Sequence, residues 1–416
     1  MRKMKFLSIF SMIVLIAGMI FFTGCDVSQT QKNETSQEST DSLLKSVGAG
    51  SQVIQVSAGE GFSMAIVQNS SFQRSLWVIG NNSYGQLGLG DTNNRSTWQN
   101  AGITNVMRIA CGKEFAMCID GESNIYVTGN NVYGSLGLGY KGGIVKKWTK
   151  TGYTGIDIAC GYSQSMFVYY NSITGYSLYV AGINHTGQLG LGDDIDRYSW
   201  TRVVTQRTSI GPIACGADFS MYVSGTNDLY VTGNNGHGQL GLGDRNPRYS
   251  WTKVNTLDTW QITSIDCGYM HSIIAAHGRL LSNPEYVNTW IWVTGYNGSG
   301  QLGLPSSTRY IDTWSQLPLG YINDVACGTH FSLFSSAGNL WVTGANVFGE
   351  LGLGDCEARY GWVQTGYYNL QYNIDCGLYH SLFISQNNTW GAGRNVYHEL
   401  GVPGLNNSYW PWFIKN

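Results

Sequence analysis

Seven times between Gly80 and the C-terminus the chain returns to one turn, Gly-x-Asn-x-x-Gly-x-Leu-Gly, usually after a strand ending in Val-Thr-Gly. The fullest copies are GNNSYGQLGLGD from Gly80, GINHTGQLGLGD from Gly182 and GNNGHGQLGLGD from Gly233. The others begin at Gly129, Gly295, Gly344 and Gly393, the last with His398 in the second Gly slot. Self-similarity at a period near fifty residues decides architecture before any local motif does. It says how a surface is built and little about what lands on it.

Two further motifs run in step with the turn. One is a short apolar stretch, then Cys-Gly, then a hydroxyl or small residue four positions beyond the Gly. It occurs at Cys111, Cys160, Cys215, Cys267, Cys327 and Cys376, with Ala58-Gly59…Ser63 as a first copy. The other is a Trp in a short strand: Trp98, Trp148, Trp200, Trp251, Trp314, Trp362 and Trp410. Each unit holds about four runs of β-branched and aromatic residues between Gly/Asn turns, such as Leu76-Trp77-Val78-Ile79, and no sustained helical stripe follows residue 50. Four strands per unit predicts an all-β, seven-bladed propeller rather than a solenoid. The region opens at Val53 on a Cys-Gly-type strand and ends on a Trp strand at Trp410, so the two ends are expected to pair and complete one blade, leaving no open edge.

Composition agrees with a large β domain over 53–416. The chain has 55 glycines and 7 prolines, 12% charged and 13% aromatic residues, and a net charge of −2. No basic field exists to attract nucleic acid, which excludes DNA or RNA as the expected partner.

The N-terminus bears on the compartment. Arg2, Lys3 and Lys5 precede an apolar run from Phe6 to Phe22, then Thr23-Gly24-Cys25. This resembles the lipobox of bacterial lipoproteins, which implies a signal peptide over 1–25, lipid on Cys25, and an extracytosolic, membrane-anchored protein. The alternative is an uncleaved signal anchor, since the run is near the lower limit of spanning length. Residues 26–52, polar and rich in Ser, Thr and Gln, read as a flexible tether reaching about 25–30 Å as a coil.

The chemistry-bearing residue types mostly have structural readings. GQLGLG lacks the Gly-Lys-Ser/Thr ending of a phosphate cradle and lies between strands. The Cys slot is shared with Ala58, so it asks for a small apolar side chain; Cys118 and Cys356 lie outside it. Asp91 with Arg95, Asp193 with Arg197, Asp244 with Arg248 and Asp355 with Arg359 recur at one offset, as a turn brace would and a catalytic pair would not. His271 and His380 fill a slot held elsewhere by Phe62, Phe115, Phe219 or Phe331 and read as core rings, with His330 one residue earlier in its own unit. No zinc spacing or Ser-His-Asp arrangement stands out, so no catalytic residue, metal site or cofactor is expected.

Residues 53–416 resemble the regulator of chromosome condensation repeat family, through the paired motifs Cys-Gly-x-x-His-Ser (Cys267 to Ser272) and Gly-x-Asn-x-x-Gly-Gln-Leu-Gly-Leu-Gly. The family's usual Trp-Gly before the Asn turn is mostly Val-Thr-Gly here; only Trp390-Gly391 keeps it. The resemblance implies a seven-bladed propeller and non-enzymatic binding. The family includes a nuclear guanine-nucleotide exchange factor, ubiquitin-ligase and signalling adaptors, and a secreted bacterial inhibitor of β-lactamases.

Function is expected where the repeats disagree. Six Asn turns place a ring just before the second Gly slot: Tyr84, Tyr133, His185, His237, Phe348 and Tyr397; the Gly298-Ser299 copy does not. Equivalent turns share one propeller face, and rings with little charge suit recognition, unless each ring merely covers the next blade. Insertions at Tyr140 to Lys147 and His277 to Asn288 break the symmetry too. The leading expectation is a surface-anchored module binding a protein or glycan. Alternatives are a hydrolase inhibitor and, less compatible with export, guanine-nucleotide exchange.

Overall fold

The computed structural model describes residues 50–206, 209–257, 260–278, 289–386, 388–402 and 406–414. The expected signal segment 1–25 with Cys25, and the expected tether up to residue 49, lie outside these, as do residues 279–288 of the second insertion. Among the described residues, the one helical element is a single 3₁₀ turn, Asn255–Leu257, and no helix is long and apolar enough to cross a membrane.

Twenty-eight strands form seven four-stranded antiparallel sheets, each contiguous in sequence: 52–104, 106–154, 157–206, 210–253, 260–317, 322–364 and 370–414. These are blades 1 to 7. In blade 1 the strands run Gln52–Ala58, Phe62–Gln68, Arg74–Gly80 and Arg95–Thr104, from the axis outward. The Cys-Gly motif joins the first two strands, and the Asn turn joins the last two. Antiparallel order puts both connections of every blade on one face and the hairpins between second and third strands on the other.

The core is divided among the spaces between sheets. Seven hydrophobic clusters each draw on two adjacent blades, including one that joins Val53, Val56 and Ala65 of blade 1 to Leu382, Ile384 and Leu400 of blade 7. No blade buries its apolar faces alone, which is the physical reason the repeat must be stacked into a ring.

The ends do not share a blade, in contrast to the expected strand exchange. The first strand pairs only within blade 1, and the Trp strand, Asn407–Ile414, pairs with Asn388–Arg394 as the outer strand of blade 7. Side chains join the innermost strands instead. The Val56 and Ala58 amides donate to Asn373 Oδ1 at 2.7 Å and Asp375 Oδ2 at 3.0 Å. The same device links blades 1 and 2, where the Cys111 amide meets Ser57 Oγ at 3.0 Å, and blades 5 and 6, where the Cys327 amide meets Asp266 Oδ2 at 2.6 Å.

Hydroxyls form a second set of joints at every one of the seven interfaces. Ser165 donates to the carbonyl of Ser135, and Ser272, Ser332 and Ser381 each donate at 2.8 Å to Gln239, Gln301 and Glu350 in the preceding blade's Asn turn. The Thr of Val-Thr-Gly does likewise: Thr128 to Gly85, Thr232 to Gly187, Thr294 to Gly238 and Thr343 to Gly300. Where one hydroxyl is missing the other is present: Ala116 coexists with Thr128, Ala181 with Ser165, and Ala392 with Ser381. Ser63 closes the ring onto Glu399 at 2.7 Å.

Two glycine positions have steric causes. The Gly after each Cys sits where seven strands converge: a Cβ on Gly377 would lie 2.5 Å from the Gly59 carbonyl, and one on Gly59 would lie 2.7 Å from that of Gly112. The Gly in Gln-Leu-Gly lies under the next blade's Trp. At Gly88, φ is +69° and a Cβ would come within 2.4 Å of the Trp148 ring.

Candidate functional site: the Asn-turn face

The turns carrying the expected rings are rigidly built. In blade 1, Asn82 Oδ1 accepts the Leu87 amide at 2.9 Å while its Nδ2 donates to the Asp91 carbonyl and carboxylate, each at 3.1 Å. Asp91 also takes the Asn93 amide at 2.9 Å and pairs with Arg95 at 2.7 Å. The same pair recurs at Asp193–Arg197 (2.6 Å), Asp244–Arg248 (2.6 Å) and Asp355–Arg359 (2.5 Å). In the first three pairs the guanidinium is the main cause holding the carboxyl below its usual range. These residues are turn braces, as their constant offset indicated.

The six ring residues fall into two groups. Tyr84 (36% exposed), Tyr133 (45%) and His185 (side chain 70%) project from blades 1, 2 and 3. His237, Phe348 and Tyr397 of blades 4, 6 and 7 are half-buried and cover the next blade. His237 meets Tyr296 edge-on at 5.4 Å, Phe348 meets Tyr379 at 5.4 Å, and Tyr397 lies against Gly61 beneath the Arg394 guanidinium. The ringless copy is compensated. Gly298 leaves room for Tyr296, whose hydroxyl oxygen would sit 2.0 Å from any Cβ there.

A second aromatic group lines the way from the axis to the rim; Tyr162, Tyr269, Tyr296 and Tyr310 were missed from sequence, and His330, expected as a core ring, is half-buried among them. Tyr162 and Tyr269 lie 5.3 Å apart; Tyr269 meets His330 at 5.9 Å, His330 meets Tyr296 at 6.3 Å, and Tyr296 meets His237. Tyr310 extends the track 6.4 Å from His237, with Arg245 stacked on it at 4.0 Å. Tyr162, Tyr269 and His330 occupy the two variable positions after Cys-Gly. Those positions vary among repeats as freely as the turn residues do, and that variation was the available signal. Burial lowers the affinity of His237 and His330 for protons and raises the Tyr162 and Tyr269 phenols, so these four groups are uncharged at neutral pH, with Lys113 over Tyr162 and Arg245 over Tyr310 as flanking cations.

The track starts at the axial channel, a cavity of about 70 Å³ lined by Ala58, the six slot cysteines and their glycines, with Tyr162, Tyr269 and Lys113 also in its lining. Those six thiols, and buried Cys118, are free, and burial raises all seven thiols' pKa, so none is poised as a nucleophile. Among the described residues no cluster of His, Cys, Asp or Glu has the arrangement to hold a metal.

His271 and His380 are buried in the Phe slot, as expected, with an added task. His271 Nε2 lies 2.8 Å from Ser332 Oγ and His380 Nε2 lies 3.0 Å from Ser63 Oγ. Each serine hydroxyl proton already points at a carbonyl, so the imidazole donates through Nε2–H. Burial drives the pKa of both rings down to about 3. Tyr140 to Lys147 belongs to the blade 2 Asn turn, whereas His277 to Asn288 starts from the hairpin between the second and third strands of blade 5.

The geometry defines a closed, seven-bladed repeat propeller with exposed rings on both faces, Tyr84 and Tyr133 on the Asn-turn side and Phe72 and Tyr170 on the hairpin side. Residues 75–119 and 227–275 match the family model described as "Regulator of chromosome condensation (RCC1) repeat", and 213–239 match a second model so described. Residues 75–119 and 213–275 therefore carry regulator of chromosome condensation repeats. The matched unit 75–119 begins in the third strand of blade 1 and ends in the second strand of blade 2, so one sequence repeat straddles an interface. Among known proteins, the chain is 27% identical over 265 residues to the ultraviolet-B receptor UVR8 of Arabidopsis thaliana, covering 62% of this chain and 56% of the receptor. It is 29% identical over 184 residues to the probable E3 ubiquitin-protein ligase HERC4 of Homo sapiens, covering 43% of this chain and 16% of the ligase. The chain thus spans less than two thirds of either relative. Yeast RCC1 (Prp20), solved bound to Kap60, superposes with a TM-score of 0.68 at 17% identity, covering 93% of this chain and 90% of that one. That likeness shows the fold.

Proposed function

We propose that the protein is a non-enzymatic binding module whose Asn-turn face holds a protein partner. The observation that carries this reading is the division of the rings: Tyr84, Tyr133 and His185 are left exposed on turns whose backbone is fixed by Asn and Asp–Arg braces. Aromatic side chains held on a rigid frame offer large contact area at little cost in conformational entropy. The aromatic track toward the channel mouth enlarges the same surface. A protein with this fold, yeast RCC1 (Prp20), was solved bound to another protein, which supports binding. The lipobox-like segment supports an extracytosolic, lipid-anchored setting through Cys25, which a Cys25→Ser variant tests by its movement from the membrane to the soluble fraction.

The test of binding is capture from cell envelope by the full chain and by Y84S/Y133S/H185S. The reading expects a protein retained by the parent and lost by the variant, with Tm within about 3 °C of the parent. A partner still held by the variant contradicts it.

A further inference from the structure

The Asn turn of blade 2 differs from the other six in charge; in length it equals that of blade 5 and exceeds those of blades 1, 3, 4 and 6 by a single residue. Between Gly139 and Lys147 it carries Lys141, Lys146 and Lys147 and no carboxylate, where blades 1, 3, 4 and 6 hold an Asp–Arg pair. Asn131, with no Asp to meet, donates to the Tyr140 carbonyl at 2.9 Å. Gly142 and Gly143 then fold the turn back onto Asn131 through backbone bonds of 2.8 and 3.1 Å.

This fold-back leaves Val132, Tyr133, Tyr140 and Ile144 between 41% and 51% exposed. Ile144 and the backbone of Lys146 also flank Gly85, the neighbour of exposed Tyr84. Tyr84, Val132, Tyr133, Tyr140 and Ile144 thus form an exposed apolar strip on the turns of blades 1 and 2, with Lys146 and Lys147 following Ile144 in the same segment and Lys141 on its blade 3 side. Lys141 is held 4.8 Å over the Tyr198 ring, with the nearby carboxylate of Asp196 in blade 3. The whole chain carries −2, so the strip's positive charge is local rather than part of a general field.

We propose that this strip docks an acidic protein segment that sets apolar side chains between carboxylates. The inference rests on the turn-face reading and assigns it a sector and a partner chemistry. Apolar area supplies the contact, and the lysines select charge and speed encounter.

The test is selection of a random peptide display library on the full chain. Selected peptides are then measured against K141E/K146E/K147E, Y84S/Y133S/Y140S and H237S/F348S/Y397S, each variant being checked for folding by its Tm. The proposal expects acidic, apolar consensus sequences, binding weakened about tenfold or more by each of the first two variants, and affinity falling as salt rises. Neutral or basic consensus sequences, or binding unchanged by lysine reversal, overturn it. So does displacement of the peptides by vesicles of anionic phospholipid or by single-stranded DNA. Binders lost only in H237S/F348S/Y397S keep the turn-face reading and remove the blade 2 assignment. A selection without binders, or binders indifferent to all three variants, removes both.

Discussion

The Ser63 hydroxyl donates to the Glu399 carbonyl at 2.7 Å and accepts from His380, so the first blade is fastened to the last by a hydrogen-bonded relay, without an exchanged strand. Ser63→Ala removes the hydroxyl joint at this interface and leaves the buried Glu399 carbonyl and His380 Nε2–H without that partner. The expected cost is about 2 kcal/mol in denaturant unfolding. Ser220→Ala is the control, because that hydroxyl reaches only Cys215 Sγ at 3.9 Å; its cost should stay below about 0.5 kcal/mol. Equal costs for the two would remove the joint's special role.

The Gly–Trp contacts make a second contrast. Gly88→Ala forces a methyl group into Trp148 at positive φ, whereas Gly142 has φ +94° and open space around its Cβ position. Chemical denaturation should show about 1–2 kcal/mol lost for Gly142→Ala, from backbone strain alone, and clearly more for Gly88→Ala.

His271 and His380 predict acid sensitivity. Their folded pKa of about 3 lies below the ordinary 6.5, so the unfolded chain binds more protons between those values. Stability is therefore lost as pH falls below about 6.5. H271F/H380F, which installs the ring used at this slot in blades 1, 2, 4 and 6, should cost about 1–2 kcal/mol at pH 7 through lost hydrogen bonds. Its Tm should then fall less than the parent's between pH 6.5 and pH 4. Parallel Tm curves would contradict the assignment.

Glu350 predicts the opposite slope. It fills the slot of Gln86, Gln188, Gln239 and Gln301, accepts the Phe348 amide at 2.8 Å, and is raised by burial to about 7. The unfolded carboxyl loses its proton near 4.5 and the folded one later, so stability falls as pH rises across that window. Glu350→Gln should match the parent's Tm near pH 4 and exceed it at pH 8. A Tm gain of equal size at both pH values would show that titration is not the cause.

The period, the strand count and the turn chemistry were legible because each repeats in register, so one copy interprets the next. The closure was not. A periodic sequence looks the same wherever its unit is cut, and Trp410 reads equally well as half of a shared blade or as the last strand of its own. The deciding groups, Asn373 and Asp375, belong to one interface and stand outside the motif. The Ser and Thr joints were visible as conserved slots within the chain, but their carbonyl partners lie in a neighbouring blade. The turn rings were found because they vary at fixed positions. Which of them project depended on the next blade's Tyr296, Tyr379 and Gly61, which the turn sequence itself does not contain.

Hydrogen-exchange mass spectrometry of the full chain with and without its captured partner tests the central claim most directly. Recognition on the Asn-turn face predicts added protection in segments 81–90, 131–147 and 183–196. Protection confined to the opposite hairpins at 69–73, 120–124 and 171–175 would contradict it.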